Sequence, residues 1–94
     1  PLRVELLRED DGSVTLALDQ LELVVNAVSL DEAVKELVEE LRTYAQDYLE
    51  RASLFVNAPN RRPHLPYVLR IALCRNEEEV KALLEIPCLQ GSES

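Results

Sequence analysis

The chain has 94 residues, of which 47% are hydrophobic and 4% aromatic, and its formal net charge is −8. This length predicts a single domain over residues 1–94, and the hydrophobic content excludes an unfolded acidic tail. Two cysteines, Cys74 and Cys88, are too few for a disulfide scaffold and fit a reducing cytoplasm, while no apolar run is long enough to span a membrane.

A β-meander is predicted for residues 2–28. Apolar residues alternate with charged ones over residues 2–8, as is typical of a strand with one buried face. Asp11 and Gly12 then form a strong turn pair, because glycine accepts a positive φ. Alternation resumes over residues 13–18, so the two segments form a β-hairpin.

The third strand of the meander is predicted for residues 21–28. Leucine, valine and alanine occupy every second position, which gives the strand an apolar face. Val24 and Val28 lie on its other face, and we expect this strand to be partly covered on both sides.

A long amphipathic helix is predicted for residues 29–56. Ser29 and Glu32 form a capping box, and an apolar stripe follows at spacings of three and four. A straight helix of this length would measure about 40 Å, against a breadth of about 26 Å for a compact domain. The helix is therefore expected to bend, to end early near Ala52 and Ser53, or to extend onto another subunit.

A helical pair is predicted for residues 63–86. Pro66 suits the first turn of one helix, and Asn76 is placed to cap the other. Pro87 ends the pattern, so residues 87–94 are expected to form a tail. The fold class is thus α+β, with a three-stranded antiparallel sheet, a long helix and two shorter C-terminal helices.

Charge divides the chain into two halves. Residues 1–50 hold 4 basic and 13 acidic side chains, whereas residues 51–94 hold 6 basic and 5 acidic ones. Two solvated faces would explain this pattern, and so would a docking surface for a partner of complementary charge. The docking hypothesis pairs basic residues with the acidic face of the long helix, in the same chain or in a second copy. Its candidate residues are Arg61, Arg62, His64 and Arg70 on the basic side, and Glu36, Glu39, Glu40 and Asp47 on the acidic side.

No catalytic, metal or cofactor site is predicted. Acidic residues near strand ends could bind Mg²⁺, but nothing in their spacing fixes a cluster, so they are interpreted as turn formers. His64, the only histidine, could pair with Cys74, although a partly exposed loop histidine and a buried cysteine are the expected arrangement. We therefore expect a protein that is not an enzyme.

Nucleic-acid binding through this chain alone is not expected. The helical pair has the outline of a helix-turn-helix, but its second helix carries several glutamates and one lysine. Those carboxylates would repel phosphate.

The first half of the chain resembles an antitoxin domain of the HicB type. The resemblance covers roughly residues 2–50 and rests on a Gly12-led strand, a third strand and the helix start Ser29-Leu30-Asp31-Glu32-Ala33. It implies a bacterial toxin–antitoxin system.

The distal half, beginning at Asn57-Ala58-Pro59-Asn60-Arg61-Arg62-Pro63, resembles antitoxins of the Phd/RelB class. Together the resemblances imply an antitoxin that binds a small basic ribonuclease toxin stoichiometrically, with any DNA-binding portion elsewhere. Homo-oligomerisation is expected through the long helix, whose stripe exceeds what a small sheet can cover. The alternative functions are an orphan regulatory or oligomerisation domain without a toxin, and a degenerate nuclease.

Overall fold

A computed structural model describes residues 2–87 and shows the α+β fold that the sequence predicts. Three strands form an antiparallel sheet in the order β2-β3-β4: β2 is Glu5–Arg8, β3 is Val14–Leu18 and β4 is Leu23–Ala27. Gly12 closes the first turn with φ +89°, a conformation that favours glycine. The hydroxyl and amide of Ser13 donate to the Asp11 carboxylate and fix this turn.

The beginning of the chain forms a separate short strand. β1 (Leu2–Arg3) pairs in parallel with β5 (Leu84–Glu85), and the Leu2 amide donates to the Leu83 carbonyl at 2.8 Å. The predicted single strand over residues 2–8 is therefore divided between two sheets. Local periodicity contains no signal for a pairing between the two ends of the described chain, so the sequence pattern missed it.

The long helix is broken. α1 spans Leu30–Glu50, and the Ser29 hydroxyl accepts the amide of Glu32 at its start. At Arg51 the backbone leaves the helical region (φ −117°, ψ 36°), and α2 resumes over Ala52–Val56. The helix predicted over residues 29–56 is thus divided at Arg51, close to Ala52 and Ser53, where an early end was one of the expected alternatives.

Two C-terminal helices follow a 3-10 turn at Arg62–His64. α3 spans Leu65–Ala72, and α4 spans Glu77–Ala82 with the Asn76 side chain capping it. The second predicted helix ends earlier than expected, because the chain after Ala82 pairs with β1 instead of continuing the helix. Cys88 and the tail from residue 88 onward lie outside the described residues.

The core lies between the sheet and the helices. The apolar stripe of α1 is buried by the inner face of the sheet on one side and by α3 and α4 on the other; it consists of Ala33, Val34, Leu37, Val38, Leu41, Ala45 and Tyr48. The stripe is thus buried within one chain. Homo-oligomerisation was expected because a small sheet alone could not cover the stripe, and α3 and α4 provide the remaining cover. The outer face of the sheet is open, since Val24 is 67% and Val28 82% exposed, contrary to the expected cover on both sides.

Candidate protein-interaction surfaces

Exposed carboxylates mark one surface of α1. Glu36, Glu39 and Glu40, here called the acidic face, lie on the solvent side of the helix, opposite the buried stripe. None of the three has an ion-pair partner within residues 2–87. Asp47, predicted with them, instead pairs with Arg51 at 3.3 Å in the last turn of α1. The acidic face is therefore available for basic groups from another molecule.

The predicted basic residues do not meet these carboxylates within the chain. Arg61 lies over aromatic rings, with its guanidinium carbon 5.3 Å from the Phe55 centroid and 5.6 Å from that of Tyr44. Arg62 donates from Nε to the Val56 carbonyl at 3.0 Å. Arg61 holds the segment after α1 because a cation over an aromatic face is attracted by the ring. Arg62 holds the same segment through its hydrogen bond to Val56. Pairing with the acidic face of the same chain does not form.

His64 is buried, which corrects the expectation of a partly exposed loop residue. Its ring is only 4% exposed, and Nδ1 lies 2.6 Å from the Tyr44 hydroxyl oxygen. Arg61 also donates to that oxygen at 3.3 Å. Burial lowers the pKa of His64, the charge of Arg61 lowers it further, and Glu22 opposes both. A buried histidine that is hydrogen-bonded to Tyr44 and whose neutral form is favoured is a structural residue.

An aromatic cluster beneath Arg61 was not predicted as a unit. Tyr44, Tyr48 and Phe55 pack together, with the Tyr48 and Phe55 centroids 5.2 Å apart. The buried Tyr48 hydroxyl donates to the Arg61 carbonyl at 3.0 Å, and burial raises the pKa of Tyr48. The four-residue spacing of the two tyrosines was the available signal, since it puts both on one helix side.

Cys74 is not brought into a catalytic pair. Its thiol donates to the Arg70 carbonyl at 3.5 Å, and burial together with the charge of Glu79 raises its pKa. A raised pKa keeps the thiol protonated and unreactive. Within residues 2–87, no group of three or more acidic, histidine or cysteine side chains is arranged to hold a metal ion.

Arg70 lies on the exposed side of α3, apart from Arg61 and Arg62. It lines a shallow groove of about 390 Å³ with Gln20, Pro66 and Tyr67. Leu69 and Leu73 are also exposed on this helix. The four predicted basic residues therefore do not form one site: three fasten the segment around α2, and Arg70 lies on another surface.

The helix-turn-helix interpretation does not fit the placement of α4. This helix packs against α1, and its exposed Glu77 pairs with Arg42 at 3.7 Å. Its outer surface carries further carboxylates, which repel phosphate.

Among the described helices, none combines the length and the apolar character needed to cross a membrane.

Comparisons with known proteins identify similar molecules. A family model described as PHD-like, antitoxin of RelE/RelB toxin–antitoxin systems, matches residues 1–86. The chain is similar to a crystal structure of an antitoxin from a proposed toxin–antitoxin system of Syntrophomonas wolfei subsp. wolfei, with TM-score 0.83 and 41% identity. The similarity covers 90% of this chain but 61% of that one, so this chain spans less than two thirds of its structural relative. No curated protein matches the sequence. Neither match concerns HicB-type antitoxins, so that resemblance stays a prediction.

Proposed function

The chain belongs to the PHD-like family of antitoxins from RelE/RelB toxin–antitoxin systems, and from this membership we propose that it neutralises a small basic toxin by stoichiometric binding. The protein acts by covering a partner, in the cytoplasm, and not by catalysis. The HicB-like meander and helix of residues 2–50 supply the rigid support, because the apolar stripe of α1 is buried against the sheet and the other helices.

The acidic face of α1 is the observation that carries this proposal. Its three carboxylates are exposed and have no ion-pair partner among the described residues. A row of unpaired like charges costs stability through mutual repulsion, and a basic partner relieves it. Complementary charge also speeds the encounter of the two proteins and suppresses wrong partners.

Charge reversal tests this function. The chain is co-expressed with the toxin that the proposal requires, a small basic protein to be sought beside its gene, and cell growth and a purified one-to-one complex are measured. Glu36→Lys with Glu40→Lys should abolish growth rescue and weaken the complex at least roughly a hundredfold, as for truncated charge pairs in desolvated interfaces. The control, Glu5→Lys with Glu50→Lys, makes the same change in net charge at exposed positions outside the acidic face. Equal rescue by both variants would contradict binding through this face.

We also propose that two copies of the toxin-free protein associate through the exposed Arg62 of one and Glu39 and Glu40 of the other, because Arg61 is held over the rings of Tyr44 and Phe55 in its own chain. The support is that Arg62 is exposed while both glutamates have no ion-pair partner in their own chain. Arg62→Glu should lower the average mass seen by light scattering, and Glu39→Arg with Glu40→Arg should partly restore it. A wild-type chain that is monomeric at tens of micromolar would exclude this assembly.

A further inference from the structure

Resting on the proposed antitoxin function, we infer that the free edge of β4, with Glu32 and Glu36 beside it, binds an extended basic segment of the toxin as an additional strand. The unit of recognition is the backbone edge of Leu23–Ala27 together with the carboxylates that border its end. The expected occupant is a segment in which apolar and basic residues alternate.

The backbone of β4 is paired on one side only. Among the described residues, every ladder partner of this strand lies on β3, from Leu18 opposite Leu23 to Val14 opposite Ala27. In an antiparallel sheet, alternate residues direct their amide and carbonyl groups away from the paired neighbour. These groups form a ready template for another strand.

This edge also lacks the usual protection against added strands. Residues 23–28 contain no charge, proline or glycine, whereas β2 at the opposite edge carries Glu5 and Arg8. Charged residues, prolines and bulges are the features by which proteins block exposed edges. Val24, on the outer face of the strand, and Val28, which directly follows the strand, are both mostly exposed and offer apolar surface to an incoming segment.

Charge identifies the incoming segment as basic. Glu32 and Glu36 line a groove of about 360 Å³ with Asn26, Ala27 and Val28 at the end of β4, and Asp11 contributes a third carboxylate. Side chains of a strand alternate between its two faces, so one face of an added strand would meet the valines and the other the glutamates. Basic residues on the second face would neutralise those carboxylates.

A second copy of this chain fits the edge less well. Pairing β4 with its own copy would bring Glu32 and Glu36 of both molecules to the same edge, where like charges repel. A basic segment from a partner would instead be attracted to these carboxylates. The two occupants therefore differ in the sign of the charge that they bring.

The probe for this inference is a synthetic peptide of alternating lysine and valine, titrated into the isotopically labelled chain and followed by NMR. The amide resonances of residues 23–28 in the labelled protein should shift, and these amides should become protected from hydrogen exchange. Val24→Lys, and separately Glu32→Gln with Glu36→Gln, should each weaken binding at least roughly tenfold, a difference of about 1.4 kcal/mol. Leu7→Lys on the other edge strand, and Glu5→Gln with Glu50→Gln, are the matched controls and should leave binding unchanged.

Shifts confined to other parts of the chain, or equal binding of a glutamate–valine peptide, would overturn the inference. Concentration-dependent broadening of the β4 amides without peptide would assign the edge to a second copy and would overturn it as well. Growth rescue separates this inference from the function on which it rests. If the wild type and Val24→Lys rescue equally, the antitoxin function stands and the edge is not its binding site; if the wild type fails to rescue, the function itself is wrong.

Discussion

At the scale of single residues, the polar groups near the end of α1 serve stability. The Tyr44 hydroxyl receives a hydrogen bond from Arg61 and shares another with Nδ1 of His64, while the Tyr48 hydroxyl donates to the Arg61 carbonyl. Among the described residues, no fully buried side-chain nitrogen or oxygen lacks a hydrogen-bond partner, which is the condition for burying such groups without a large penalty. The cluster therefore fixes the segment between α1 and α3, and its residues act as positioning groups.

Removing the Tyr48 hydroxyl should destabilise the protein measurably. Tyr48→Phe leaves the ring packing intact but deprives the Arg61 carbonyl of its donor, which we expect to cost about 0.5–1.5 kcal/mol of unfolding free energy. Urea denaturation measures the change. Tyr67→Phe is the control and should cost less, because its weaker bond at 3.3 Å joins the half-buried Tyr67 to the side chain of Gln20.

The buried His64 should make stability depend on pH. Its pKa in the folded protein is below the ordinary 6.5, so as the pH falls through that value the unfolded chain binds a proton that the folded chain does not. Stability from this group is therefore complete above about pH 6.5 and decreases on acidification.

The variant His64→Gln isolates this effect, because glutamine retains an acceptor but does not titrate. We expect the stability difference between the wild type and His64→Gln to shrink between about pH 7.5 and about pH 5.5 in denaturation experiments. A difference that stays constant over this range would show that His64 is protonated equally in both states.

At the scale of elements, the two short strands β1 and β5 and the end of α1 are held by contacts between distant segments. The break at Arg51 turns α2 so that Phe55 packs on Tyr48 and beneath Arg61. α2 itself has no fully buried residue, so these aromatic contacts are what hold it. β1 and β5 similarly depend on each other, since each is only two residues long.

The β1–β5 pairing should contribute strongly to stability through the side chain of Leu2. Leu2 is 1% exposed in the core, whereas Leu7, on the neighbouring strand β2, is 58% exposed. Leu2→Ala should cost about 2–5 kcal/mol because it removes buried surface and leaves a cavity. Leu7→Ala is the matched control and should change unfolding free energy by no more than about 0.5 kcal/mol. Similar losses for both variants would mean that β1 is not packed as described.

At the scale of the whole molecule, charge and apolar surface are distributed unequally. The net charge of −8 is concentrated in the first 50 residues, and the acidic face of α1 is part of that half. The end of β4 borders Glu32 and Glu36, of which Glu36 belongs to the acidic face, so backbone pairing and charge recognition would act on one partner at once.

Association with a basic toxin should therefore depend steeply on salt. The screening length falls from about 30 Å at 0.01 M to about 3 Å at 1 M ionic strength. Over this range the association rate constant, measured by stopped flow, should fall at least roughly tenfold, while the dissociation rate changes less. The variant Glu36→Lys with Glu40→Lys should show a shallower dependence. An association rate insensitive to salt would contradict steering by the acidic face.

The sequence by itself determined the elements whose signals are local. Alternation and the turn at Gly12 specified the meander, the Ser29 and Asn76 caps specified where α1 and α4 begin, and the charge pattern identified the acidic face. These features depend on neighbouring residues along the chain, so periodicity reveals them. The antitoxin class came from the resemblance to known antitoxin families and agrees with the family match.

Only the tertiary structure decided what depends on residues far apart in sequence. The β1–β5 pair joins the two ends of the described chain, and Arg61 lies on aromatic rings instead of carboxylates because the break at Arg51 brings Phe55 beneath it. His64 loses its solvent through packing against Tyr44. Burial, long-range pairing and an unpaired sheet edge are properties of the assembled chain, because each is set by which distant segments meet.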